Sequence, residues 1–133
     1  MTPRRKEDKM EFENLSYEEK LEMWLNEYLK PEEAEQLQSE IEREIQDKLE
    51  MREIIGRDEI NFLREIGNYE EGEIVETGRH GWYSQYFIIH SGNKSFQGIG
   101  WFNDMCGDEI EEQTLIPVEL KEVKVMKWVP IEE

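Results

Sequence analysis

The sequence predicts an α+β fold, in which two or three N-terminal helices precede a small, strongly bent antiparallel β-sheet or partial barrel. Apolar residues recur every three or four positions in the first half, and this period shortens towards two after about residue 72. Glycines and aromatic residues concentrate in the second half. We therefore predict a mobile arm over residues 1–14, an acidic helical region over 15–67 and a β region over 72–133, packed with the helices as one domain.

The first helix is predicted to begin after Ser16, because Ser16 and Glu19 have the spacing of a capping box. We expect Pro31 to end this helix and to open the second one, since proline suits a first helical turn. The apolar stripe of the first helix comprises Leu21, Trp24, Leu25, Tyr28 and Leu29.

The second helix is predicted across residues 32–55, which contain neither glycine nor proline. We expect Gly56 to cap its C-terminus in the left-handed conformation. A third, short helix should be capped by Asp58 and end at Gly67. The apolar positions are Ala34, Leu37, Ile41, Ile45 and Leu49 in the second helix, and Ile60, Leu63 and Ile66 in the third.

Residues 82–90 and 95–102 are predicted to form a hairpin that turns at Gly92-Asn93. Both faces of this hairpin are largely apolar, so we expect the helices to cover one face and further strands to cover the other. Candidates for those strands are residues 73–77, 110–120 and 121–129, with Pro117 confined to an edge or a bulge. The turn sets the pairs Ile89–Phe96, Phe87–Gly98, Gln85–Gly100 and Tyr83–Phe102, and the opposite face carries Trp82, Tyr86, Ile88, Ile99 and Trp101.

Charge is unevenly distributed along the chain. The 133 residues include 33 acidic and 16 basic ones, a net charge of −17. Residues 1–9 carry +2, residues 10–77 carry −15 and residues 78–133 carry −4. Such a surface repels nucleic acid and anionic membranes and attracts basic proteins. We therefore expect a basic nucleic-acid-binding protein as the partner, with no direct contact to nucleic acid or membrane; the oligomeric state stays open.

The sequence also indicates a cytoplasmic protein. Its single cysteine, Cys106, excludes an intramolecular disulfide and fits a reducing compartment. The basic N-terminus is not followed by the apolar segment of a signal peptide, and no run approaches the roughly 20 apolar residues of a membrane span.

No catalytic motif is present, so we expect a protein that is not an enzyme and needs no cofactor. The residues that metal or nucleophilic chemistry would use lack zinc-ligand spacing. A calcium loop starting at Asp104 would need glycine at its sixth position and glutamate at its twelfth, where Glu109 and Leu115 stand. The residues considered are His80, His90, Asp104, Cys106 and Asp108.

Eight aromatic residues crowd into the β region, which is a feature of proteins that stack single-stranded bases. Those binders need a positively charged track beside the rings, and this region is net negative. There are two alternatives to base stacking. The aromatic residues form a conventional core, or they line a pocket for a protein side chain or a small ligand.

The acidic helices offer an array of carboxylates. Residues 32–53 carry a net −6 over about 33 Å, which is too dilute to imitate a DNA duplex unless the first helix lies alongside. The alternative is a solvated face with internal pairs such as Glu44–Lys48. The candidate partner-binding residues are Glu33, Glu40, Glu44 and Asp47 on one flank of the second helix, and Glu35, Glu42 and Glu53 on the other.

Three functional hypotheses follow. The first is an inhibitor that occludes the basic surface of a nucleic-acid-processing protein. In size, charge and lack of a catalytic motif the chain is like small anti-restriction, anti-CRISPR and nuclease-immunity proteins of phages and mobile elements, although no motif of such a family is present. The second is an adaptor or structural protein that docks a partner through its aromatic sheet. The third is a ligand-sequestering protein or enzyme with a pocket on the sheet.

Because Cys106 has no ligand partners at metal-binding spacing, we predict that Cys106→Ala leaves folding and activity unchanged. Circular dichroism and thermal melting with and without a chelator would test this. A loss of structure in either experiment would contradict it.

Overall fold

The computed structural model describes residues 14–131, and it shows three N-terminal helices followed by an antiparallel sheet. The helices are α1 (Tyr17–Asn26), α2 (Pro31–Glu50) and α3 (Arg57–Glu65). The predicted α+β fold is confirmed, and the described strands do not close into a barrel. The predicted arm lies outside the described residues apart from Asn14.

Within residues 14–131, seven strands follow or interrupt the helices. A short ladder pairs β1 (Ile54–Ile55) with β6 (Gln113–Thr114). The main sheet has the order β2-β3-β4-β5, and β7 pairs with β4 beside β5. Its strands are β2 (Tyr69–Thr77), β3 (Tyr83–Ser91), β4 (Lys94–Asn103), β5 (Gly107–Glu109) and β7 (Ile116–Val118).

The start of α1 is as predicted, and its end is not. The side chain and backbone of Ser16 exchange hydrogen bonds with those of Glu19, which confirms the capping box. The helix ends at Asn26, and Tyr28 is fully exposed instead of lying on the apolar stripe. Pro31 explains part of the difference, because the residue before a proline is driven out of the helical conformation, and Lys30 is extended.

The predicted end of the second helix is wrong by five residues. α2 ends at Glu50, and Arg52 then adopts a positive φ of 57°, which reverses the chain. The following isoleucines form β1, in which Ile55 is fully buried. Gly56 has a φ of −96° and is the N-cap of α3, so it does not cap α2 and it replaces Asp58 as the cap of α3. Gly67 ends the third helix as predicted, with a φ of 83°.

The hairpin and its register are confirmed. Its turn lies at Gly92, whose φ is 63°, and all four predicted pairs from Ile89–Phe96 to Tyr83–Phe102 are present. Residues 73–77 lie within the longer β2, and residues 110–120 contain β6 and β7. Pro117 lies on β7, which pairs on one side alone within the described chain, as an edge strand would.

The prediction of a strand over residues 121–129 is wrong. Residues 119–131 contain no helix or strand and are exposed throughout. This segment therefore does not return over the sheet, and the second face of the hairpin stays partly open, with Ile99 42% and Trp101 38% exposed. The expectation that both faces are covered is thus wrong for the described residues.

One residue of the β6 segment closes a gap in the sheet. β5 and β7 share the outer edge of β4 and leave the backbone of Ile99 between them. The Gln113 amide nitrogen donates to the carbonyl oxygen of Ile99, and the Gln113 amide oxygen accepts from the Ile99 N–H, both at 2.9 Å. A side chain therefore completes the hydrogen bonding of this edge.

The hydrophobic core lies between the helices and the inner face of the sheet. It draws on all three helices, on β1, on the hairpin and on the segment after β5, so the helical and β regions share one core. Its fully buried side chains are Leu37, Ile41, Ile45, Leu49, Ile55, Ile60, Phe62, Leu63, Phe87, Ile89 and Leu115.

Gly98 allows the closest packing in this core. A Cβ atom at Gly98 would lie 2.4 Å from Cζ of Phe87 and 2.6 Å from Cδ2 of Leu115. We predict that Gly98→Ala lowers the free energy of unfolding by about 1–3 kcal/mol, because two buried side chains must move. Urea denaturation measures this.

Gly56→Ser is the matched control. The nearest atom to a Cβ there is 3.7 Å away, and serine is a favoured N-cap. It should change stability by less than about 0.5 kcal/mol. Equal effects of the two substitutions would contradict the assignment of Gly98 to a closely packed site.

Candidate acidic interface

The charge of α2 alone is too dilute to imitate a DNA duplex unless α1 lies alongside it. In the structure α1 does lie alongside α2. Lys20 of α1 approaches Glu40 of α2, with 3.8 Å between Nζ and Oε1. The ring of Trp24 packs edge-on against Phe62 of α3 at a centroid distance of 4.7 Å. The carboxylates of α1 and α2 therefore belong to one surface.

Two of the four predicted residues on the first flank have structural contacts. The Glu33 carboxylate accepts the Lys30 N–H at 3.3 Å and closes the first turn of α2. Glu40 pairs with Lys20, and its second oxygen is buried without a hydrogen-bond partner among the described residues. Glu33 thus caps the start of α2, and Glu40 links α2 to α1. Both carboxylates also add negative charge.

The other two residues of this flank have no such contacts within the described residues. Glu44 and Asp47 are exposed and lie three positions apart, on one face of α2. Glu18 of α1 is also exposed, and the charges of Glu18 and Glu44 both act on the phenol of Tyr17. We call Glu18, Glu44 and Asp47 the acidic face. None of the three forms an ion pair with another described residue.

The second predicted flank is not continuous. Glu35 is exposed and Glu42 is half-buried on α2. Glu53 is exposed but lies beyond the end of the helix, after the reversal at Arg52, so its placement on a flank of α2 is wrong. The geometry therefore favours the α1 side of α2 as the acidic surface.

Sequence reasoning missed Glu59, which is the one buried carboxylate among the described residues. It accepts hydrogen bonds from the Tyr17 hydroxyl, from the Lys48 ammonium at 2.9 and 3.0 Å, and from the Gly56 N–H at 2.9 Å. Lys48 thus pairs with Glu59 and not with Glu44, the pair considered from the sequence. The available signal was the three-residue spacing of Gly56 and Glu59, which is that of a helix N-cap and its partner.

A second ionic cluster joins α3 to the sheet. Asp108 of β5 accepts from the guanidinium of Arg64 at 2.9 Å and from that of Arg57 at 3.3 Å. Arg64 also lies over the ring of Tyr69, 4.5 Å from its centroid. Two cations of the helical region are therefore directed towards the sheet.

These pairings leave an excess of exposed negative charge on the helices. Residues 14–67 carry 16 acidic and seven basic side chains, a net −9. Four of those seven cations are in the ion pairs described, namely Lys20, Lys48, Arg57 and Arg64. The exposed carboxylates therefore greatly outnumber the cations that remain to screen them.

The residues considered for metal or nucleophilic chemistry lie apart or have structural contacts. His90 lies at the turn end of the hairpin and contacts Ser95 and Glu70. Cys106 is exposed in the turn after β4, at the opposite end, where Asn103 binds its backbone N–H. Asp104 accepts from the Tyr83 hydroxyl, and no three metal-ligating side chains converge within residues 14–131.

The aromatic residues divide between core and surface. Phe87 and Phe96 are buried, and Tyr69 stacks on Phe87 at 5.6 Å, so these rings are part of the core. Trp101 is partly exposed on the outer face of the sheet. Trp128 is fully exposed and lies outside the sheet, beyond the last described strand.

The chain matches no family model, and it has no significant similarity to any curated protein or solved structure. Within residues 14–131, no helix is both long and apolar enough to cross a membrane.

The environment of Tyr17 predicts a specific loss of stability in alkali. Burial raises the pKa of the Tyr17 phenol above its usual value near 10, and the hydrogen bond to Glu59 raises it further. The neutral phenol therefore contributes its full stabilisation below about pH 10, and this contribution is lost as the pH rises towards the folded-state pKa.

We expect the free energy of unfolding to fall more steeply above pH 10 in the wild type than in Tyr17→Phe. The two slopes should differ by up to about 1.4 kcal/mol per pH unit. Urea titrations at a series of pH values measure this. Tyr28→Phe is the control, because Tyr28 is fully exposed and should retain the wild-type slope. Parallel curves for Tyr17→Phe and the wild type would contradict the prediction.

Proposed function

We propose that the protein inhibits a nucleic-acid-processing protein by covering its basic surface. The observation that carries the proposal is the acidic face, in which Glu18, Glu44 and Asp47 are exposed on adjacent helices without described ion pairs. Carboxylates held on rigid helices replace phosphates in a basic groove, because a groove that binds phosphate attracts any anion at similar spacing.

The charge density of the two helices supports this mode of action. α1 carries a net −2 and α2 a net −6. Because α2 is about 30 Å long, the pair carries one net charge per roughly 4 Å. One strand of DNA carries one charge per ~3.4 Å and a duplex one per ~1.7 Å. The helices therefore fit a surface that contacts a single strand better than one that encloses a duplex.

Such an inhibitor would act in the cytoplasm of a host cell, and a phage or mobile element would encode it. A partner of this kind acts on nucleic acid there. Inhibition is stoichiometric, since one copy of this protein covers one basic groove. No catalytic reaction is involved.

A second candidate function is an adaptor that docks through the outer face of the sheet. The observation that favours it is the exposure of Ile99 and Trp101, next to the half-buried Tyr86 and Ile88. Partly exposed aromatic residues are frequent at the centres of protein interfaces.

We expect Glu18→Lys, Glu44→Lys and Asp47→Lys, combined in one variant, to abolish inhibition while the fold is retained. The three sites are exposed and lie off the core, so each change should alter stability by only about 0.5 kcal/mol. The partner is recovered from a host lysate at low salt, and displacement of labelled single-stranded DNA from it is then titrated. The measured quantity is the ratio of inhibitor to partner that releases half of the DNA.

The control variant reverses Glu65, Asp104 and Glu109, which are exposed elsewhere and give the same change in net charge. It should still displace the DNA, and wild-type binding should weaken steeply with salt. If the acidic-face variant binds as the wild type does, occlusion is refuted. If binding resists salt and is lost in Trp101→Ala, the adaptor function is supported instead.

A further inference from the structure

The C-terminal segment of the described chain exposes an unusual amount of apolar surface. We call residues 119–131 the C-terminal arm. It contains no regular structure, and its apolar side chains are 65–104% exposed. They are Leu120, Val123, Val125, Met126, Trp128, Val129 and Ile131. Valine, tryptophan and isoleucine favour strands, so this composition is that of a strand without a partner.

The charge of the arm is opposite to that of the rest of the molecule. It contains Lys121, Lys124 and Lys127 against two glutamates, a net +1 in a chain of −17. The lysines recur every third position beside the valines. A strand edge that carries acidic side chains would therefore complement the charge of the arm.

The sheet offers such an edge at β2. Among the described strands β2 pairs with β3 alone, so the backbone groups on its other side have no strand partner, and the register of β2 shifts on both sides of Ile74. It carries four glutamates and no cation, and Ile74 and Val75 are 58% and 47% exposed. Like charges oppose pairing of β2 with a second β2, whereas a strand with lysines is attracted. The four glutamates are Glu70, Glu71, Glu73 and Glu76.

The position of the arm favours an edge on another molecule. The arm leaves from β7, on the outer edge of β4, and β2 lies on the opposite side of β3. It leaves at the turn end of the hairpin, where Lys94 pairs with Glu50 of α2 at 3.6 Å. To reach β2 of the same chain the arm would have to cross β3 and β4, whereas residues 119–131 are exposed throughout and form no strand.

We propose that two copies of this chain form a dimer, in which the C-terminal arm of each adds as a strand to the free edge of β2 in the other. Main-chain hydrogen bonds supply affinity, as in other cases of strand addition, and the lysine–glutamate pairs select the partner strand. A two-fold arrangement makes both contacts at once. None of the residues used belongs to the acidic face.

Sedimentation equilibrium of the full chain over a concentration series at low salt tests the proposal. We expect a dimer that reverts to a monomer when the chain is ended after Val118. Reversing the three arm lysines to glutamate should weaken the dimer at least about tenfold. Val125→Pro should have a similar effect, because proline removes a main-chain donor and disfavours a central strand position. Arg43→Glu, Arg52→Glu and Lys94→Glu, combined as a control with equal charge change, should leave the dimer intact.

A charge swap gives the sharpest readout. The variant with reversed arm lysines should form a mixed dimer with a variant in which the four β2 glutamates are lysine, while the latter does not pair with itself through its arms. Circular dichroism verifies folding of each variant, and the two full-length arm variants remain decisive if the truncated chain does not fold.

Three outcomes would overturn the proposal. The first is a full chain that stays monomeric at all concentrations. The second is a dimer that survives both the truncation and the arm variants. The third is a monomer in which hydrogen exchange shows protected arm amides, since the arm would then dock on its own chain.

Discussion

The carboxylate of Glu59 is the interaction on which the arrangement of the three helices depends. It receives donors from the start of α1, the end of α2 and the N-cap of α3, so a single side chain links all three. Removing it would leave the partly buried Lys48 ammonium, the Tyr17 hydroxyl and the Gly56 N–H without their shared acceptor, which destabilises the junction of the three helices. The helix positions set by this contact bring the carboxylates of α1 beside those of α2.

The sequence predicted the parts of the fold that local patterns determine. The turn at Gly92 needs a positive φ, and a two-residue turn at this position sets the register of the strands on either side. The end of α2 was not predictable, because it depends on pairing between β1 and β6, whose closest registered partners, Ile55 and Gln113, are 58 residues apart. The candidate site was predicted in part. Helical spacing located Glu40 and Glu44 on one flank, but only packing reveals that Glu40 faces Lys20.

Two surfaces with separate chemistry result from this packing. The helical layer presents exposed carboxylates that outnumber its cations, and attraction between such a layer and a basic surface is long-range and weakened by salt. The sheet presents apolar side chains and a free edge, which depend on contact and on main-chain hydrogen bonds. Because the acidic face and the arm share no residue, the proposed inhibition and the proposed dimer would depend on different residues and different forces.

The side-chain amide of Gln113 makes the two edges of the sheet different. By occupying the backbone of Ile99 between β5 and β7, it removes the gap through which a foreign strand would otherwise enter on that side. Within the described chain the backbone of β4 is therefore paired along its outer edge, and the exposed edges are β2 on one side and the short strands β5 and β7 on the other. Very short edge strands are poor templates for a foreign strand, so the nine-residue β2 is the edge that is more open to pairing. By completing the pairing of β4 between these short strands, the Gln113 amide leaves less unpaired backbone at which edge-to-edge aggregation starts.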